Sequence, residues 1–564
     1  MKKYLKNMLA CVLASCVVFS AVGCGDNETK IDDTKSQLYV YNYNGGVGSA
    51  WLDKVVADFS EDFKNYPFEN GKKGVQFIVE KAKTSELQTI ANSANEVIFA
   101  EIANYPNLVD TKVILDITDI LDVNLNEYLV DENGKSVTSD TSTIKSKMYD
   151  ESVDFYSYKE GKFYALPHYA IFSCVTYNKA LFDEKKLYFA KNPGSTKESQ
   201  FIQSGNTEKS CGPDGVDGTD DDGLPATWDE MFLLCDYMKE RDVTPFLWCG
   251  GTDIRAGYYN YLLNAVYLNL AGAEQARYNY SFDSGSNEIT IIENFDASGN
   301  PVTKKEVVNS SNYGKVLNSE LEKYQTIAIV DKILDNTDWQ ASNCNNGAST
   351  MLSTQNSFIF SANEDDKPIA MFVEGSYWYN ESVDAGYIND AEQIYGEEFS
   401  DKNDFRIMSL PRVYSGRAKD LEGKTIHKTV SSDQNDTIAC INAKIASNPD
   451  KVKLAKMFLA YCYTDEKLAE FTETTRVTRS LKYDVDTSKL DSWGTTVWNY
   501  TRQSDLVLPY SSNSAFLNNR SRLSMHINNS FWNSTAAKKA YNNLKGADKT
   551  ALDYFNEYMN RTWS

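Results

Sequence analysis

Residues 37–43 read QLYVYNY, with apolar and polar positions alternating at a period of two. That pattern predicts a strand with one face turned to a core. A glycine-bearing turn, Asn44-Gly45-Gly46-Val47-Gly48, follows. Trp51, Leu52, Val55, Val56, Phe59 and Phe63 then recur at helical spacing. Val75, Phe77 and Val79 alternate as a second strand, and residues 96–99 give a shorter third. Strands alternating with helices predict a parallel or mostly parallel sheet covered by helices.

The same alternation returns further along. Thr227-Trp228-Asp229-Glu230 has capping-box spacing ahead of an apolar face of Met231, Leu234, Cys235 and Met238. Residues 244–249 read as a strand and 256–270 as a tyrosine-rich helix. An inserted hairpin is expected over 275–313, turning at 297–302, then a helix over 315–334. Later strands are expected at 368–373 and 437–442, and a helix from Pro449 to Cys462, opened by its proline. The C-terminal stretch reads as mainly helical, and there is no internal repeat.

The chain begins with Lys2, Lys3 and Lys6 and an uncharged apolar run over 8–22. A membrane span needs roughly 20 apolar residues, so this shorter run predicts a secretory signal peptide over 1–23. Ala21-Val22-Gly23-Cys24 resembles a bacterial lipobox, which implies lipidation of Cys24 and a polar tether over 24–37. No later segment is long and apolar enough to span a bilayer. The net charge is −22, which argues against nucleic acid as a partner, since that needs basic surface. Tyrosine, at 36 residues, is frequent enough to suggest a recognition surface as well as packing. Beyond the leader and Cys24, the cysteines Cys174, Cys211, Cys235, Cys249, Cys344, Cys440 and Cys462 form no C-x-x-C pair; buried free thiols are expected.

Five segments carry more specific information. They are GKFYALP with TYNKALF (161–167 and 176–182), LPATWDEMFLLC (224–235), KPIAMFVEGSYW (367–378), FRIMSLPRV (405–413) and SNPDKVKLAKMFLAYCYTDEKLAEF (447–471). In order and spacing they resemble the family 1 extracellular solute-binding proteins, over about residues 38–564. KPIAMFVEGSYW matches that family's Ala-Met-x-x-x-Gly-x-Trp turn. The resemblance implies a bilobed, periplasmic-binding-protein-like (type II) α/β fold, with a multi-strand hinge and a ligand cleft between the lobes. The chain would cross near 169–174, 429–435 and 491–505. Lobe one would hold 38–170 and 435–495. Lobe two would hold 171–434 and 496–564, with insertions near 205–226 and 275–345. The implied function is that of a substrate-binding lipoprotein of an ABC importer, probing the medium for an oligosaccharide and delivering it to the permease. It would be a monomer on the outer face of a Gram-positive cell membrane, reaching the membrane through its lipid only. A peptide, a polyamine or a charged sugar is the alternative cargo, and a secreted glycan-acting enzyme the alternative class.

By the same resemblance, Trp378 is the first candidate to face a ligand, with Glu374 and Tyr377 beside it. Trp248 ends a strand before a polar turn holding Asp253 and Arg255, where open α/β sheets place ligands. Asn44 follows the first strand, His168 and Tyr169 lie at a crossing, and Arg412 follows Leu410-Pro411. Trp51 and Trp228 occupy helical core positions. In GPDGVDGTDDDGLP (212–225), Asp214, Asp217, Asp220, Asp221 and Asp222 read as a solvated acidic loop; the alternative is a structural calcium held by Asp214, Asp217, Asp220 and Asp222. No other cofactor is implied. The three histidines, His168, His427 and His526, are far apart, and no G-x-S-x-G or complete P-loop occurs. Paired carboxylates for glycoside hydrolysis stay open on composition alone.

Overall fold

The computed structural model describes residues 30–82, 87–101, 104–363, 367–433, 437–509, 511–517 and 550–559. The expected signal peptide and Cys24, and most of the expected C-terminal helices, lie outside them. Among the described residues, thirteen strands form four sheets. In chain order they are β1 (Ser36–Tyr43), β2 (Val75–Ala82), β3 (Val97–Ala100), β4 (Ala165–Pro167), β5 (Ser173–Asn178), β6 (Thr244–Leu247), β7 (Glu288–Phe295), β8 (Pro301–Val307), β9 (Ile369–Gly375), β10 (Phe405–Ile407), β11 (Val430–Ser432), β12 (Ile438–Ile441) and β13 (Asp505–Val507).

The first sheet has the order β2-β1-β3-β12-β4. β1 runs parallel to β2 and β3, while β12 is antiparallel to both its neighbours. Every residue of β3 and β12 is buried, as central strands covered on both faces require. β12 reaches this slot only after a long excursion of the chain, so the sheet cannot close until the second lobe has been traced. Helix Ala50–Asp62 buries Trp51, Leu52, Val55 and Phe59. Helix Pro449–Tyr461 is capped by the Asn448 side chain, which accepts from Lys451 N–H. Its Phe458 packs on Phe59 and Phe77, with ring centroids 5.3 and 4.8 Å apart.

The second sheet has the order β10-β5-β9-β6, with β5 antiparallel to β10 and β9 and β6 parallel to β9. β5 and β9 are buried along their whole length. Helix Trp228–Lys239 starts where the sequence predicts. Thr227 Oγ1 accepts Glu230 N–H at 3.2 Å, and the Glu230 carboxylate accepts from Ala226 and Ala418 N–H. That second contact ties the helix start to the 411–418 loop. The expected tyrosine-rich helix is longer than its periodicity implies, running Arg255–Ser281 with a break at Gly272 (φ 75, ψ 162). The break lets the chain turn while Ala273, Ala276, Tyr278 and Tyr280 stay buried, so the inserted hairpin is confined to β7 and β8. The expected 315–334 helix divides into Tyr313–Asn318 and Leu321–Asp335 around a buried Glu320, which pairs with Lys323 at 3.0 Å.

The lobes join at a hinge of extended backbone. β4 ends at Pro167 and β5 begins at Ser173, and residues 168–172 between them are all buried. Ala170 N–H donates to Thr478 O (2.8 Å), Ile171 N–H to Asp433 Oδ1 (3.3 Å), and Thr437 Oγ1 to Tyr169 O (2.6 Å). β11 and β13 form a parallel ladder beside this passage. Tyr483 packs in the first core and Trp493 in the second. Cys174, Cys211, Cys235, Cys249, Cys344, Cys440 and Cys462 are free and buried.

Candidate functional site

The first-lobe edge of the cleft is the turn after β1. Asn42 Nδ2 donates to Tyr43 O and Gly48 O, at 3.0 and 3.1 Å, and Asn44 N–H to Ala82 O at 2.7 Å. Gly48 has φ +66, a region open to glycine at little cost. The turn meets the second lobe directly. Asn380 Nδ2 donates to Gly46 O at 3.0 Å. A Cβ on Gly46 would lie 3.0 Å from Tyr377 Cγ, and one on Gly48 2.6 Å from Asp384 Oδ2. The glycines are therefore needed for close approach of the lobes as well as for turn geometry.

The second-lobe edge is the end of β9. Tyr377 is half-buried against the Gly46 turn, and its hydroxyl lies 3.0 Å from that of Tyr261. Glu374 is fully buried, and its Oε1 accepts Gly375 N–H at 2.9 Å. Burial, with the Glu381 carboxylate nearby, pushes its carboxyl well above the usual range. Tyr258 and Tyr261, from the first turns of helix Arg255–Ser281, pack edge to face at 5.6 Å.

The hinge residues His168 and Tyr169 lie buried beneath the lobe junction. Tyr169 is 1% exposed, and its hydroxyl donates to Glu101 Oε2. His168 stacks among Trp51, Phe99 and Phe471. Burial, and then the nearby Arg479 cation, hold its pKa well below the ordinary value, so the ring is neutral. Arg479 sits over the Trp51, Tyr463 and Phe471 rings at 5.2, 4.9 and 4.3 Å. His168 therefore belongs to the packing beneath the hinge.

Other expected positions fall elsewhere. Trp378 is fully buried among Phe358, Phe372, Phe405 and Trp493, with its indole N–H donating to Thr176 Oγ1 at 3.0 Å. It is one residue past the aromatic of the Ala-Met-x-x-x-Gly-x-aromatic pattern, and the start of helix Trp378–Asp384 turns it inward. Tyr377 takes the outward place. Trp248 is 3% exposed and packs in the second core. Its polar turn is pressed against 343–349, where a Cβ on Gly250 or Gly251 would lie 2.2 Å from a backbone oxygen. Asp253 is exposed and Arg255 half-buried there. Arg412 is a buried clamp, donating to His427 O and, at 2.7 Å, to Thr429 Oγ1.

Within the acidic loop the Asp214 and Asp221 carboxylates lie close together, and the others have local partners or face solvent. Asp217 pairs with Lys191, Asp222 accepts Gly218 N–H, Asp214 accepts Val216 N–H, and Asp220 is exposed. Among the described residues, no group of three or more His, Cys, Asp or Glu is placed to share an ion. Asp214, Asp217 and Asp222 thus meet local backbone and lysine partners. A separate depression of about 530 Å³, lined by Asp229, Phe232, Lys332, Trp339 and Arg417 among others, is built without the cleft residues.

Sequence reasoning missed Glu101, Tyr258, Tyr261 and Asn380. The glycines of 44–48 and the tyrosine density of 258–261 were the available signals.

The profile of the bacterial extracellular solute-binding protein family matches residues 54–490. A sequence search of curated proteins returns no match. Among solved structures, a chitin oligosaccharide binding protein is similar at 14% identity and TM-score 0.52, covering 93% of this chain and 97% of its own. A binding protein of an ABC transporter from Bifidobacterium animalis subsp. lactis, in complex with mannobiose, is similar at 13% identity and TM-score 0.53, covering 94% and 96%. At these identities the likeness is one of fold.

Proposed function

Since the chain belongs to the bacterial extracellular solute-binding protein family, we propose that its solute is an oligosaccharide, captured between the lobes and delivered to an ABC permease. The supporting observation is the meeting of Tyr377 with the Gly46 turn across the cleft. An aromatic face and flanking polar groups (Asn44, Asn380, Glu374, Tyr261) match the apolar faces and hydroxyl edges of a sugar chain. Two proteins of similar fold are a chitin oligosaccharide binding protein and an ABC-transporter binding protein in complex with mannobiose. Closure follows when ligand contacts on both edges favour the shut arrangement over the open one. We further propose that Cys24 carries a lipid holding the monomer to the outer face of a Gram-positive membrane. On this reading the lobes are residues 38–170 with 435–495, and 171–434 with 496–564, the third passage lying near 491–505.

Calorimetric titration of the purified full chain against a glycan panel and a peptide panel tests this. Saturable binding of a glycan without release of smaller products is expected. Peptide binding with no glycan binding, or turnover of a glycan, would refute it.

A further inference from the structure

The depression of about 530 Å³ on the second lobe shares no residue with the cleft edges. Its size falls within the roughly 300–1,000 Å³ of small-molecule sites. Stretches far apart in sequence build it: helix Trp228–Lys239, helix Leu321–Asp335, the turn Thr337–Trp339 and the 416–417 loop. Half-buried Phe232 and Leu233 give it an apolar floor. The Phe232 ring stacks on buried Trp339, with centroids 5.9 Å and planes 14° apart. Polar contacts fix the walls. Trp339 indole N–H donates to Asp236 Oδ1 at 3.1 Å, Gly416 N–H to Asp229 Oδ2 at 3.0 Å, and Thr227 Oγ1 to Gly416 O at 2.9 Å. The fold therefore sets the shape of the site before any ligand arrives.

The rim carries two carboxylates, Asp229 and Asp236, two cations, Lys332 and Arg417, and the Asn336 amide. Arg417, whose charge acts on the buried Glu230 carboxylate, has no hydrogen-bond partner at its buried Nη1. Burial, then Tyr324 and the Asp229 charge, raise the Tyr414 phenol, which sets that ring, 36% exposed, near the rim. Lys332 Nζ lies over the Phe232 ring, 3.9 Å from its centroid. Lys332 is exposed, and a cation–π contact at such a position is weak enough to be exchanged for a ligand.

We propose that this depression is a second binding site, outside the cleft, for a segment of neutral glycan. The aromatic and aliphatic floor accepts the C–H face of a sugar ring, and the rim offers acceptors and donors to its hydroxyls. Two carboxylates against two cations leave the rim with no net charge to favour an acidic or an amine-bearing chain. An extended peptide finds no strand to pair with, since every lining residue lies on a helix, turn or loop. The outer edge of β6 nearby is already met by Gln340 and Ala341. The assignment rests on the chemistry of this depression and does not depend on what the cleft captures.

The test is retention of the full chain, at physiological salt, on columns of immobilised glucomannan, arabinoxylan, polygalacturonate and chitosan. Retention on at least one of the two neutral glycans, stronger than on the two charged ones, is expected. Phe232→Ala and Lys332→Glu should each weaken that retention about tenfold or more, while leaving calorimetric binding of short oligosaccharides in the cleft unchanged. Tyr377→Ala should do the reverse. Lys332→Glu, at an exposed position, carries the test alone if Phe232→Ala fails to fold. No retention on either neutral glycan overturns the inference, as does retention that Lys332→Glu leaves intact or that Tyr377→Ala abolishes. Stronger retention on polygalacturonate or chitosan overturns the neutral assignment. None of these outcomes removes the oligosaccharide reading of the cleft, which the short-chain titration decides separately.

Discussion

Adjacent aromatic residues separate packing from recognition. Trp378 fills the second core, while Tyr377 faces the first lobe. Trp378→Ala should cost about 3–5 kcal/mol of stability, read as a lowered denaturant midpoint. Tyr377→Ala, at a half-buried interface position, should leave that midpoint nearly unchanged and weaken glycan affinity about tenfold or more. Equal stability losses in both variants would contradict this division. A third residue, Asp221, tests the electrostatics. Burial, with the Asp214 carboxylate close by, raises its pKa from 3.8 to about 7, against the weaker pull of Arg412. The folded state thus holds the proton more tightly than the unfolded chain, whose aspartate titrates near pH 4. The stability from this group is full below about pH 4 and is lost as pH rises to about 7. Asp221→Asn should therefore shrink the fall in melting temperature between about pH 4.5 and pH 8, and an unchanged fall would contradict the assignment.

Elements follow local sequence where the pattern is regular and depart from it at single backbone positions. β1, helix Ala50–Asp62 and helix Pro449–Tyr461 lie close to where periodicity and caps predict. The helix expected over 256–270 instead continues to Ser281, because Gly272 adopts φ 75 and the chain resumes helical geometry beyond it. A Cβ there would meet the His427 ring at 3.3 Å. Gly272→Ala should destabilise the chain by about 1–3 kcal/mol in urea unfolding, from the backbone strain alone. A neutral or stabilising result would mean that the break is not required. The split around Glu320 has a similar origin, since its buried pair with Lys323 reorients the chain at a point where the apolar pattern runs on uninterrupted.

The whole molecule works only if the lobes can approach. Gly46 and Gly48 permit that approach by lacking side chains. Gly46→Phe should hold the lobes apart, and small-angle scattering should then show no contraction when ligand is added to the variant. Wild-type-like contraction would place closure elsewhere. The amino-acid sequence by itself determined the alternating elements, the apolar faces, the buried thiols and, through five ordered segments, the bilobed architecture. These depend on local spacing and composition, which one chain displays in full. Only the tertiary structure decided which aromatic faces the cleft, which partners the acidic-loop carboxylates meet, and that Glu374 lies fully buried. Each of those depends on groups brought together from distant positions: Tyr377 meets Gly46, and β12 enters between β3 and β4, only after the chain has crossed the hinge. Periodicity assigns a face to a residue. What that face touches is set by the packing of the two lobes.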